Sequence, residues 1–141
     1  MGLIVYTGGT FDLLHAGHVA FLGRCAEFGQ VVVSLNTDDF IAAYKGRPPV
    51  MSYQEREAVL RGLSSVFDVV PNRGGADSKI AIEDVNPDLI VVGSDWARKD
   101  YHAQMGFNQD WLDARGIGLC YVPYTKGIST TDIKSRLLGR R

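Results

Sequence analysis

The chain has 141 residues, 45% of them hydrophobic, enough for one core and too few for two, so a single domain over 1–141 is expected. With 15 Lys and Arg against 16 Asp and Glu the net charge is -1, which gives no support to a nucleic-acid or general polyanion binder. Any phosphate site must therefore come from a few placed residues. Cys25 and Cys120 are far apart and lack metal-ligand spacing, as expected of buried thiols in a reducing compartment. The start, MGLIVYTGGTF, has no basic leader and only a short apolar run. Neither a signal peptide nor a membrane partner is expected, and the setting is read as cytoplasmic.

Leu3-Ile4-Val5-Tyr6 is a short apolar run ended by Gly8-Gly9, a buried strand entering a tight loop. From Leu13 to Gly29 apolar residues recur at helical spacing, at Leu14, Val19, Leu22 and Ala26, with Gly29 as the C-terminal cap. Val31 to Leu35 is a second strand, followed by polar Asn36-Thr37-Asp38-Asp39 at the carboxyl end, where α/β folds place ligands. Tyr44 to Pro49 is basic, rich in helix breakers and read as a mobile connector. Ser52 to Leu63 predicts a helix with Ser52 as N-cap and Glu55 completing a capping box. Val66 to Val70 is the third strand, Lys79 to Val85 a short helix, and Leu89 to Val92 a fourth strand stopped by Gly93. Asn108 to Arg115 reads as helix, Leu119 to Val122 as the fifth strand, and Thr130 to Leu138 as a closing helix. Strand and helix alternate, and the strands are continuously apolar. That pattern predicts an α/β fold: a Rossmann-like, doubly wound parallel sheet of about five strands with helices on both faces.

The sharpest feature is His15-Ala16-Gly17-His18, opening the first helix after Gly8-Gly9-Thr10-Phe11-Asp12. Histidines three apart share one helix face. Gly17 between them leaves room for a phosphate to approach backbone N–H groups and the positive dipole end. Two imidazole donors there can stabilise charge on a phosphate under attack. Zinc binding is the rival reading, but zinc helices space histidines differently and no third ligand is near.

In the second piece, Gly127 to Lys134, the Ser129-Thr130-Thr131 run serves either as N-caps or as a phosphate cradle, and Lys126 adds a charge. The third is Gly93-Ser94-Asp95-Trp96: a ring to stack on a base with a carboxylate to accept an amino proton, or a turn with Asp95 capping and Trp96 in the core. Lys45 and Arg47 are either solvated charges or mobile cations that close over phosphates. The fork of Arg56 can hold an acceptor phosphate or brace the site. Asp12 can orient a loop or contact the acceptor, and the residues alone leave both open.

These segments, in this order and over nearly the whole chain, resemble the cytidylyltransferase family of HxGH nucleotidyltransferases, above all the glycerol-3-phosphate cytidylyltransferases. The resemblance rests on Gly9-Thr10-Phe11-Asp12, His15-Ala16-Gly17-His18, Thr37-Asp38, Ser52-Tyr53-Gln54-Glu55-Arg56, Asp95-Trp96 and Gly127-Ile128-Ser129-Thr130-Thr131. It implies transfer of CMP from CTP to a phosphorylated small alcohol, glycerol 3-phosphate first, by direct attack of the acceptor phosphate and release of pyrophosphate. Mg²⁺ is implied as a companion of the triphosphate, with no side-chain ligands. The resemblance also implies catalytic roles for His15, His18 and Lys45, and acceptor binding by Asp12, Asp38, Arg47 and Arg56. Nucleotide binding would fall to Gly9, Thr10, Phe11, Gly17, Gly93, Asp95, Trp96, Lys126, Ile128, Ser129, Thr130 and Thr131. A homodimer is implied as well.

Three departures stand out. Such relatives often read Arg-Tyr-Val-Asp-Glu-Val where this chain has Ser64-Ser65-Val66-Phe67-Asp68-Val69, which weakens the dimer expectation. Tyr124 stands where relatives carry an arginine that binds triphosphate. Lys99 to Asp113 is longer than the matching segment and holds Tyr101, His102, Phe107 and Trp111. An adenylyltransferase using ATP with a sugar phosphate or FMN acceptor would share the Gly-Thr-Phe-Asp and HxGH segments, so only Ser94-Asp95-Trp96 leans towards cytosine. From another class comes a nucleotide-binding module without turnover, suggested by Tyr124 and the altered Ser64–Phe67 stretch.

Overall fold

Successive residues of a strand face opposite sides of a sheet, and the central strands here are apolar on both. In the computed structural model, which describes residues 2–94, 100–123 and 130–139, that pattern yields two cores separated by one sheet. The strands are β1 (Leu3–Gly9), β2 (Gly29–Leu35), β3 (Val66–Pro71), β4 (Leu89–Gly93) and β5 (Gly118–Val122). All pair in parallel, in the order β3-β2-β1-β4-β5. The helices are α1 (Ala16–Ala26), α2 (Asp38–Lys45), α3 (Tyr53–Arg61), α4 (Ser78–Val85), α5 (Tyr101–Met105), α6 (Gln109–Arg115) and α7 (Thr130–Gly139). Val5 of β1 and Val91 of β4 pack with Phe21, Leu22 and Cys25 of α1 and with Leu60 of α3. Their neighbours Tyr6, Ile90 and Val92 pack on the other face with Ala81 and Ile82 of α4, Tyr101 of α5 and Leu112 of α6. The doubly wound parallel sheet expected from the sequence is thus the fold observed. From β1 the chain winds outwards to β3, then returns to lay β4 on the other side of β1. Strand order therefore reverses between β1 and β4, and a crevice opens there at the carboxyl ends.

Four local expectations need correction. Residues 10–15 are not helical: Phe11 and Leu13 have φ of 51° and 50°, and α1 starts only after His15. Gly29 is no helix cap, since α1 ends at Glu27 and Gly29 begins β2 opposite Leu3. A Cβ on Gly29 would fall on the Leu3 backbone, which is why the position is glycine. The stretch Tyr44 to Pro49 is only partly a connector, because Tyr44 and Lys45 close α2. That helix was hidden by its polar start, yet it is well capped. Thr37 Oγ1 accepts from Phe40 N–H at 3.2 Å, two acids stand in its first turn, and Gly46 ends it at φ 78°. Finally, α5 was not foreseen, being five residues long behind the cap of Asp100. Within the long Lys99 to Asp113 segment, Tyr101, Phe107 and Leu112 are buried in the second core, so its described residues are packing.

Candidate active site

A cleft of about 120 Å³ lies at the point where strand order reverses. The end of β1 (Thr7, Gly8, Gly9), the turn residues Thr10 and Phe11, His18 and Phe21 of α1, and Val92 and Gly93 of β4 line it. Its shape depends on missing side chains. A Cβ on Gly9 would stand 2.9 Å from the Phe11 ring, so this glycine lets the aromatic wall close against the backbone. Phe11 adopts its positive φ because its ring is buried in the first core, where Leu22 and Cys25 of α1 lie. Such a conformation costs about 1–3 kcal/mol and is held by that burial.

The two histidines cap the helix for each other. His15 is the N-cap, and its Nδ1 accepts from Gly17 N–H at 3.0 Å. His18, three residues on, returns its own Nδ1 to His15 N–H at 3.1 Å. This is a capping box in which imidazoles replace the usual hydroxyl and carboxylate. An Nδ1 that accepts a hydrogen bond carries no proton, so each neutral ring bears its hydrogen on Nε2. The rings lie with centroids 3.9 Å apart, inclined by 34°, and His18 also meets Phe11 at 5.4 Å. Burial, then the neighbouring His15, hold His18 down to about 4, against a weaker upward pull from Asp12. His15 is lowered too, by burial first and then by Arg136, with Asp132 opposing. Both side chains are therefore neutral donors near pH 7. The Gly17 N–H already donates to His15 Nδ1, and the Nε2–H groups of the two rings are left as donors beside the remaining backbone N–H groups of this helix start.

The turn that carries the histidines is braced from beneath. Arg56 of α3 is wholly buried. Its Nη1 donates to Thr10 O at 2.8 Å and Asn36 O at 2.9 Å, its Nε to Met51 O at 3.0 Å, and its Nη2 to Asp38 Oδ1 at 2.7 Å. Asp38 Oδ2 also accepts from Tyr53 N–H. Asp12 accepts Val50 N–H at 2.8 Å and Met51 N–H at 2.9 Å, one on each carboxylate oxygen. Of the readings left open by the sequence, Arg56 has the geometry of a brace and Asp12 that of a loop tether. Asn36, part of the polar strand end noted in the sequence, and Asn72, which no sequence signal singled out, extend the network. Asn36 Nδ2 donates to Thr10 Oγ1 and its Oδ1 accepts from Asn72 Nδ2, linking the ends of β1, β2 and β3.

Gly9, Thr10, Phe11, His18 and Gly93 therefore meet at one cleft, with His15 stacked on His18 and Gly17 within the cap. Lys45 and Arg47 do not line it. Lys45 is exposed at the end of α2 with Nζ 5.8 Å from the Tyr44 ring centroid, and Arg47 is exposed in the following loop. Asp95, Trp96, Lys126, Ile128 and Ser129 lie outside the described residues, as does Tyr124; Thr130 and Thr131 open α7. That helix brings Asp132 and Arg136 within electrostatic reach of His15. The two residues are an i, i+4 ion pair on that helix.

A glycine turn, a helix start and fixed imidazole donors at the switch point define a Rossmann-like α/β protein built to hold a phosphate-bearing ligand. More particularly, the chain belongs to the cytidylyltransferase-like family, whose model matches residues 6–136. It is 37% identical over 136 residues to a glycerol-3-phosphate cytidylyltransferase of Bacillus subtilis, covering 96% of this chain and 97% of that protein. It is 34% identical over 137 residues to the protein of the same name from Staphylococcus aureus, 96% of each chain. The bifunctional protein HldE of Aeromonas salmonicida is 38% identical over 132 residues, 92% of this chain but only 26% of that protein. Among solved structures, a lipopolysaccharide core biosynthesis protein from Thermoplasma volcanium superposes with a TM-score of 0.70 at 23% identity, over 89% of this chain and 100% of that one. At that identity the likeness is one of fold.

Proposed function

We propose that this chain is a cytidylyltransferase that transfers CMP from CTP to glycerol 3-phosphate, giving CDP-glycerol and pyrophosphate. The reaction class rests on the reciprocal histidine cap beside the switch-point cleft, and the substrates on near full-length similarity to two glycerol-3-phosphate cytidylyltransferases. The triphosphate lies along the Gly8-Gly9-Thr10 turn, with the α-phosphate at the Nε2–H groups of His18 and His15. An oxygen of the acceptor phosphate attacks the α-phosphorus as the bond to pyrophosphate breaks. Charge grows on the non-bridging oxygens, where two donors fixed by their own backbone bonds stabilise it without reorganising. No general base is required, because a phosphate monoester is largely ionised near neutral pH.

Mg²⁺ is proposed, on the resemblance, to arrive on the triphosphate. Bound there, it would supply positive charge that offsets the charge of the phosphate oxygens. Lys45 and Arg47 are proposed to reach phosphate by movement of the 46–49 stretch, whose far foot is tied to Asp12. Base recognition by Asp95 and Trp96, and phosphate binding by Lys126 and the Ile128–Thr131 stretch, are proposed on the resemblance. A homodimer through the β3 edge is supported by exposed Phe67. No helix among the described residues is long and apolar enough to cross a membrane. Cys25 and Cys120 are unpaired, in keeping with a reducing, cytoplasmic setting.

The test is pyrophosphate release with Mg²⁺, crossing CTP and ATP against glycerol 3-phosphate, phosphocholine, phosphoethanolamine and sugar phosphates. The expected result is acceptor-dependent release with CTP and glycerol 3-phosphate. Release with ATP alone would replace the base assignment, and CTP binding without release across the grid would establish a module without turnover.

A further inference from the structure

The carboxyl ends of β1, β2 and β3 are joined twice. Backbone joins them first: Asn36 N–H donates to Gly9 O and Asn72 N–H to Leu35 O, both at 2.9 Å. Beside these bonds runs a chain of side chains, from Asn72 Nδ2 to Asn36 Oδ1 at 2.9 Å and from Asn36 Nδ2 to Thr10 Oγ1 at 3.1 Å. Its direction is set at the far end by Gly75 O, which accepts from Asn72 Nδ2 at 3.0 Å. A carbonyl only accepts, so the side of Asn72 that meets it must carry the amide hydrogens. The second hydrogen of that group requires an oxygen on Asn36, and Asn36 then turns its own amide hydrogens to Thr10. Turning Asn72 over would set its Oδ1 against two oxygens. In the observed orientation Asn72 Oδ1 is buried without a hydrogen-bond partner among the described residues, a cost that joining the strand ends does not require.

We infer that Asn72 is a positioning residue for the nucleotide: acting through Asn36, it makes Thr10 Oγ1 an acceptor from the protein and so leaves the hydroxyl hydrogen for a phosphate oxygen in the cleft. The inference deepens the nucleotidyl-transfer reading above and rests on it. Thr10 is half-buried and lines the cleft beside Gly9 and His18, and its hydroxyl donates to no described residue. A hydroxyl has one hydrogen to give. With the amide of Asn36 reversed, that hydrogen would go to the protein, and lone pairs would face the phosphates. Held as it is, the hydroxyl needs no reorientation when an anion arrives. Its bond to an ionised oxygen is also stronger than one between neutral groups.

The experiment measures kcat and KM for both substrates in wild type, Thr10→Val, Thr10→Ser, Asn72→Leu and the double variant Thr10→Val with Asn72→Leu. Thr10→Val keeps the shape and removes the hydroxyl, and is expected to lower kcat/KM for the nucleotide by about 10–100-fold. Thr10→Ser keeps the hydroxyl and should stay within about threefold of wild type. Asn72→Leu should lower the same ratio by about fivefold or more when Thr10 is present, and by less than about twofold once Thr10 is Val. A joint that is only structural would cost the same factor in both backgrounds. Thermal melting establishes that each variant is folded at the assay temperature; if Asn72→Leu is not, Asn72→Ser takes its place in the cycle. The inference is overturned if Thr10→Val or the Asn72 variant leaves kcat/KM within about twofold of wild type. It is also overturned if the Asn72 replacement costs as much without the Thr10 hydroxyl as with it. Each ratio is taken with the nucleotide and acceptor that wild type turns over. A failed cycle in an active protein therefore strikes the role of Asn72 alone, whereas a wild type silent on every substrate pair strikes the reading beneath it.

Discussion

Replacing Arg56 by Met keeps most of the side chain's bulk and removes the fork. Three carbonyls, of Thr10, Asn36 and Met51, then lose donors in a part-buried region around the wholly buried side chain. Each such orphaned group costs about 1 kcal/mol or more. Asp38 loses its 2.7 Å partner, but its side chain is 41% exposed and rehydrates, adding about 1 kcal/mol. The sum, about 4 kcal/mol, lies in the range for breaking a buried charge network. For a domain of this size it corresponds to a fall in Tm of about 12–15 °C. Urea denaturation and thermal melting measure it directly, with Asp38→Asn as the smaller comparison at about 1 kcal/mol. A variant Arg56→Met within about 1 kcal/mol of wild type that had nonetheless lost acceptor binding would refute the brace and restore Arg56 as an acceptor ligand.

The histidine cap gives a pH dependence of definite sign. His18 titrates at about 4 when folded and near 6.5 when unfolded, so between those values the unfolded chain binds more protons and stability falls as pH falls. Full burial would make this about 3 kcal/mol; the ring is only half-buried, and about 1–2 kcal/mol is expected. His18→Gln should flatten the slope of the urea midpoint between pH 6.5 and 4, and an unchanged slope would refute the assigned proton state. Asp12→Ala removes both acceptors that tether Val50 and Met51 and should cost about 2 kcal/mol. It should also raise amide hydrogen exchange at those two residues, whereas unchanged protection there would exclude the tether.

Strand positions were legible because each strand carries a run of apolar residues, strong enough to survive single polar positions such as Asp68 in β3 and Ser34 in β2. Helices with strong caps, such as Ser52 with Glu55, were legible for the same reason. By contrast α2 opens on two aspartates and closes beside Gly46-Arg47-Pro48-Pro49, so composition spoke for a loop while Thr37 and the tertiary packing of Ile41 made a helix. Gly29 shows the other failure: a glycine after a helix reads as a cap, and only the pairing of β1 with β2 reveals a steric need. At the site, His15 and His18 announced themselves by spacing, but their reciprocal bonds to backbone, and hence their tautomers, required the turn at Phe11 and Leu13 to be in place. Asn72 gave no signal because its partner Asn36 is 36 residues away, on another strand end.

The most direct test of the account is the kcat of purified His18→Ala with CTP and glycerol 3-phosphate, measured beside its affinity for CTP. Loss of one preorganised donor predicts a fall in kcat of about 10²–10³-fold with CTP affinity changed little. Near-normal turnover in a folded His18→Ala protein would contradict the central claim that this imidazole stabilises the transferring phosphoryl group.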